Sequence, residues 1–234
     1  MARAHFSWKS RMRSAIACAL GAILSSSALC AQAQLHDASR SLTLEQLLRS
    51  MATSAGVSAQ FEERKELALL SAPLESRGRL YFEPPDRFAR FTTGPAVTAL
   101  VIDGERVHFR ESSDAEALDL SGNPMTRAFV ENFIALWSGD RARLERLYDV
   151  TLAGDRARWE LSLAPRAGPL DRFIERITLR GREAALTQMI VRETDGDRTV
   201  TEFAAMRLDR AFSADERQQI FARGVPLDEP AEAR

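Results

Sequence analysis

Few residues in this chain have types and spacings that could do chemistry. Its histidines are His5, His36 and His108, and its cysteines are Cys18 and Cys30. A metal site or a Cys–His nucleophile needs several such side chains converging, and here they are scattered. A serine triad would have to use His108, which alternates onto the polar side of a strand, and no nucleophile-elbow motif occurs. Glycines stand singly, so no loop is built to cradle phosphate. Glu62-Glu63 and Asp195 with Asp197 remain as acid–base candidates. Adjacent carboxylates on a strand point to opposite faces, and the second pair flanks the turn glycine Gly196, so both read as solvated charge. Three residues at Asp195-Gly196-Asp197 fall short of a calcium-binding loop. The chain reads as a binding protein rather than an enzyme, without metal or cofactor.

The cysteines belong to a segment of another kind. Arg3, Lys9, Arg11 and Arg13 precede an apolar, small-residue run from Ala15 to Leu29, and Ala31-Gln32-Ala33 offers an A-x-A cleavage site. This is the layout of a secretory signal peptide, residues 1–33, and the run is too short for a membrane span. A lipoprotein signal using Cys30 is the rival, though Leu29 fits poorly where a small residue is expected. Cleavage after Ala33 leaves 201 residues with no cysteine, so the exported domain relies on packing alone. Its 28 basic and 33 acidic side chains give a net charge of −5, which argues against nucleic acid and anionic membrane surfaces as partners. Residues 34–42 read as a polar lead-in, 43–227 as one domain and 228–234 as a charged tail.

The elements that would position a site follow from periodicity. Leu44, Leu47, Leu48 and Met51 make one helical stripe, started by a Thr43–Gln46 capping box. Val57 to Leu69 is a strand or strand pair with Phe61, Leu67 and Leu69 as its apolar members. Leu80 and Phe82 alternate with Arg79, Tyr81 and Glu83, and Pro84-Pro85-Asp86 ends that strand. Arg87 to Thr92 and Ala96 to Ile102 follow, separated by Gly94-Pro95. Asp103-Gly104 is a hairpin signal, returning through Val107 and Phe109. Asn123 and Pro124 start a helix to Ser138 that is apolar over a wide arc, carrying Met125, Phe129, Val130, Phe133, Ile134, Leu136 and Trp137. Leu144, Leu147 and Tyr148 share the face of a further helix. Strands then return: Val150–Leu152 to a turn at Ala153-Gly154-Asp155; Trp159, Leu161 and Leu163; Ile177 and Leu179 to a turn at Gly181; Leu186–Glu193; and Thr199–Phe203 after Asp195-Gly196. A Ser213–Glu216 capping box opens a last short helix carrying Ile220 and Phe221. About nine to eleven short strands and two or three helices predict an α+β fold: an antiparallel, strongly curved half-barrel whose open side helix 124–138 plugs.

Phe61-Glu62-Glu63, G-x-L-x-F at Gly78–Phe82, the proline break, an aromatic-basic strand and a strand ending Val101-Ile102-Asp103-Gly104 with an aromatic return form an ordered pattern. Over roughly Leu44 to Phe203 it resembles the periplasmic outer-membrane lipoprotein carrier (LolA-type) family. Where related chains place a basic residue before the proline, this one has Pro84, so no role of that residue transfers. The resemblance implies a monomeric, non-enzymatic periplasmic carrier that takes acylated lipoproteins, or another acyl lipid, from an inner-membrane release complex to an outer-membrane acceptor. The inner wall would comprise Leu80, Phe82, Phe88, Phe91, Leu100, Ile102, Val107, Phe109, Trp159, Leu161 and Leu163, under a lid of Met125, Phe129, Phe133 and Trp137. Two alternatives stay open: a lipid-sensing module of the same shape acting on a membrane-bound signalling partner, and an esterase dependent on His108.

Overall fold

The computed structural model describes residues 41–52, 54–112, 116–122, 134–135, 139–166, 168 and 170–228. Eleven antiparallel strands form one sheet: β1 (Val57–Glu66), β2 (Leu74–Glu83), β3 (Arg87–Gly94), β4 (Val97–Asp103), β5 (Arg106–Arg110), β6 (Leu118–Asp119), β7 (Tyr148–Asp155), β8 (Arg158–Pro165), β9 (Ile174–Arg182), β10 (Ala185–Glu193) and β11 (Arg198–Arg207). Their order is β6-β5-β4-β3-β2-β1-β11-β10-β9-β8-β7. Two hairpin meanders therefore meet at β1 and β11, and the edges are β6 and β7, which are consecutive in sequence. Residues 120–147 must connect those edges.

Eleven strands laid flat at ~4.8 Å spacing would stretch about 48 Å. Yet Phe82, Ile102 and Val107 of one arm share a single buried cluster with Trp159, Leu161, Leu163 and Leu179 of the other, so the sheet curls. We call this the inner face. Helix α1 (Leu44–Ala52) is seated on it through Leu47, Leu48 and Met51, all nearly fully buried. Reciprocal Thr43–Gln46 hydrogen bonds of 3.1 and 3.2 Å start α1 as the capping box requires. Helix α2 (Arg141–Leu147), capped by the Asp140 carboxylate, adds buried Leu144. Ile134 packs on the same cluster, and neighbouring Ala135 is fully buried.

The outer face carries a second core of Tyr81, Ala89, Phe91, Ala99 and Val101. It is covered by Phe212, Ile220, Phe221 and Leu227 of the C-terminal segment. That segment contains α3 (Ala214–Arg217), which continues as a π-turn over Gln218–Ala222. The Ser213–Glu216 capping box is formed in full.

Several expected boundaries move. β1 ends at Glu66 and Leu69 stands 97% exposed, because Leu67–Leu70 closes a turn before β2 begins. Gly154 lies inside β7, paired with Trp159; the turn falls at Asp155–Arg158, where the Asp155 carboxylate accepts two backbone N–H groups. Gly181 lies inside β9, with the turn at Glu183. A Cβ there would stand 2.2 Å from Cζ2 of Trp159, so the indole occupies the space a side chain would need. Tyr148 opens β7 instead of closing α2. The Asp103-Gly104 hairpin forms as read, with Gly104 at φ +62°.

Candidate functional site

The two faces offer different chemistry. On the outer face, beyond the C-terminal segment, a groove of about 800 Å³ crosses β11, β1 and β2. Glu62, Glu63, Arg64, Glu66, Arg77 and Arg198 are among the side chains that line it, a ladder of mixed charge with Val200 and Pro95 beside it. A smaller cleft of about 210 Å³ beside Phe221–Gly224 contains His108, Phe109 and Arg110. His108 helps hold the Asp119 carboxyl below its usual range, behind the larger effect of hydrogen bonds from Ser121.

The inner face is apolar across both arms, and most of the wall predicted from sequence lies there. Leu80, Phe82, Phe88, Ile102, Val107, Trp159, Leu161 and Leu163 are buried in its cluster, and Leu100 packs against it. Phe109 pairs with Leu100 across β4 and β5 and so shares that face. Phe91 does not: it lies in the outer core, edge-on to Tyr81 with centroids 5.9 Å apart. The physical reason is strand parity, since Phe88 and Phe91 are three residues apart and project to opposite faces. Met125, Phe129, Phe133 and Trp137 lie outside the described residues.

Sequence reasoning passed over three features. Helix α1 covers the inner face with residues already read as a stripe, but nothing local said against which face. Tyr148 is buried there, and burial raises its phenol to about 12. Glu63, read as solvated, is instead held by an ion pair. Its Oε1 stands 2.9 Å from Nη2 of Arg90, and its Oε2 accepts the Thr201 hydroxyl at 3.0 Å. The Arg90 guanidinium lies over the Phe61 ring, 4.2 Å from the centroid, and Nη1 donates to Thr92. Val57, Ala59, Phe61, Glu63 and Lys65 share one strand face by simple alternation, and that was the available signal.

Glu193, Asp195 and Asp197 bring carboxylate oxygens within 4.8 Å of one another. Each has work at the turn: Glu193 pairs with Lys65 at 3.0 Å, Asp195 accepts from the Asp197 N–H, and Asp197 accepts from the Ala68 N–H.

A curled, unclosed antiparallel sheet with helices on its inner face defines a class of apolar-interior binding folds. The family model described as "Outer membrane lipoprotein carrier protein LolA-like" matches residues 36–221, and the chain belongs to that family. Among solved structures it is similar to a DUF1329-family protein from Desulfovibrio piger, with 13% identity and a TM-score of 0.50, covering 78% of this chain and 96% of that one. It is also similar to a LolA-superfamily protein from Nitrosomonas europaea, with 13% identity and a TM-score of 0.44, covering 77% and 98%. MucB, in the Pseudomonas aeruginosa MucA/MucB complex, gives 15% identity and a TM-score of 0.40, covering 74% and 58%. No curated protein matches the chain by sequence. Among the described residues no helix is long and apolar enough to cross a membrane.

Proposed function

We propose that this protein is an exported carrier that holds acyl chains of lipoproteins, or of another lipid, against its inner face and moves them towards the outer membrane. The observation that carries the reading is the apolar cluster on the inner face, shared by both arms of an open sheet and covered by a helix instead of a twelfth strand. Family membership supports it, as do the signal-peptide layout of residues 1–33 and a site chemistry suited to binding rather than turnover.

Magnitudes set the mechanism. Taking a sixteen-carbon chain from water is worth about 12 kcal/mol at ~0.8 kcal/mol per CH₂. Leu47, Leu48 and Met51 of α1 are buried against the inner face, at about 2 kcal/mol for each buried side chain. Displacing that cover therefore offsets roughly half of the gain, which permits both capture and release. Met125, Phe129, Phe133 and Trp137, on the connection between the two edge strands, are proposed as the remainder of the lid. Delivery would run from an inner-membrane release complex to an outer-membrane acceptor.

Lipid extraction and mass spectrometry of the protein purified from the periplasm test this directly. Stoichiometric acyl species or a bound lipoprotein support it. A lipid-free protein recovered with a membrane-bound signalling partner would favour a regulatory module instead. A fluorescent fatty acid should change emission from Trp137 and Trp159, and unchanged emission would remove the lid assignment.

A further inference from the structure

On the outer face, strand register sets side chains in rows. One row runs Glu160, Arg180, Gln188 and Glu202 across β8, β9, β10 and β11. Its charges are paired along the row: Arg180 donates to Glu160 at 2.8 Å and to Gln188 at 2.9 Å, and Gln188 donates to Glu202. A second row, four residues along the same strands, breaks that pattern. Arg176 of β9 stands opposite Arg192 of β10, which stands opposite Arg198 of β11. Ile177 and Leu179 turn to the inner cluster, so Arg176 faces outward by alternation, and register puts the other two arginines beside it.

Like charges directly opposite one another on neighbouring strands work against the sheet. Little here offsets them. Glu66, opposite Arg198, stands 3.4 Å from its Nη1 but also 3.3 Å from Nε of Arg64. Arg176 donates to the Ser162 hydroxyl at 2.8 Å. Among the described residues Arg192, in the middle, has neither a hydrogen bond nor an ion pair. Arg176 and Arg192 are exposed, and the Arg198 side chain is 36% exposed. The row thus presents accessible positive charge that the neighbouring row shows the fold can balance.

Spacing selects what would balance it. Neighbouring strands lie ~4.8 Å apart, so the three arginines span about 10 Å. On a helix, carboxylates at i, i+4 and i+7 stand ~6 and about 10.5 Å along one side. Alternate residues of an extended chain are ~6.8 Å apart and overrun the third arginine. Small anions are held in concave pockets, whereas Arg176 and Arg192 stand on an open sheet face. A bilayer would cover the whole face and meet Glu62, Glu160 and Glu202 as well as the arginines.

We propose that Arg176, Arg192 and Arg198 form a docking ladder for an acidic helix of a protein partner. The ladder lies on the opposite side of the sheet from the apolar cluster, so the inference does not depend on the carrier reading.

The test is fluorescence anisotropy with a labelled, alanine-based peptide of about 18 residues, long enough to be helical alone, carrying glutamates in one i, i+4, i+7 stripe. An isomer with the same glutamates spread around the helix is the comparison. The exported chain should bind the striped peptide about tenfold more tightly. Arg192→Gln should bring that ratio to near one while its urea midpoint stays level or rises, because a like-charge contact is removed. Arg158→Gln, at an exposed arginine outside the ladder, should leave the ratio unchanged. Equal binding of the two peptides, a wild-type ratio in Arg192→Gln, or a lowered midpoint in that variant overturns the ladder. Arg192-dependent binding to phosphatidylglycerol vesicles, with neither peptide bound, overturns the protein partner in favour of a lipid surface. Each of these outcomes leaves the carrier reading standing.

Discussion

At the residue scale, Tyr148 and Glu216 make pH-dependent contributions to stability with opposite signs. Tyr148 is buried, and its phenol is pushed up to about 12 from an ordinary value of 10.0. The native state prefers the neutral form, so this contribution is intact below pH 10 and declines as the pH rises from there towards 12. The loss is on the order of 2 kcal/mol. Tyr148→Phe should flatten the alkaline limb of a urea-denaturation series between those limits, and an unchanged limb would show that the phenol is not the titrating group. Glu216 behaves in reverse. Hydrogen bonding from the Ser213 N–H, with Arg210 adding, lowers its carboxyl below 4.5. Its contribution is present above that value and is lost as the pH falls through the lowered folded value. Ser213→Ala, which removes the other half of the box, should cost about 1 kcal/mol at neutral pH in the same assay.

At the element scale, one buried carboxylate helps to clasp the C-terminal segment to the outer face, beside the apolar core. Glu83 accepts from Arg217 Nε at 2.8 and 3.1 Å and from Arg87 at 3.0 Å, and Arg87 also donates to Asp103 at 2.9 Å. Hydrogen bonding to Asp103, then to Glu83, raises the already high value of the Arg87 guanidinium. One carboxylate thus joins β2, β3 and α3. Glu83→Ala leaves two arginines without their shared acceptor and should cost about 2 kcal/mol. Faster amide exchange in residues 212–228 should accompany it while β8 and β9 stay protected. Loss of protection everywhere would show that the clasp supports the whole sheet.

Helix α1 makes the contrasting case on the inner face. Leu48 is 1% exposed, so Leu48→Ala should destabilise by about 2–5 kcal/mol through lost burial and the cavity left behind. If α1 is the cover that cargo displaces, the same change should tighten uptake of an apolar dye. Weaker dye binding in a variant that remains folded would mean that Leu48 helps to form the site.

On the scale of the whole molecule, the ring of strands is completed at its middle and left open at its edges. β1 and β11, nearly the ends of the domain, hydrogen-bond over Ser58–Glu66 and Arg198–Arg207, whereas β6 and β7 remain apart as edges. A cargo bound only by this folded arrangement must stabilise it by mass action, about 2.7 kcal/mol at a ligand concentration one hundred times Kd. The melting temperature should therefore rise continuously with added acyl ligand, and a flat response would contradict binding to the folded inner face.

Periodicity alone determined most of the elements: the α1 stripe, both capping boxes, the Asp103-Gly104 and Asp195-Gly196 hairpins and the alternation of Leu80 with Phe82 rest on interactions within about ten residues. Composition determined that histidine and cysteine are scarce, with three of one and two of the other in the whole chain. Tertiary structure decided which face each strand turns inward, and so sent Phe91 to the outer core beneath Phe212 and Phe221. It decided that Gly181 makes room for an indole instead of a turn, and that Glu63 meets Arg90 and Thr201, 27 and 138 positions away. Those outcomes depend on register between strands distant in sequence, fixed only when β1 and β11 close the meanders on one another, and no local pattern encodes a pairing that the rest of the chain has to bring about.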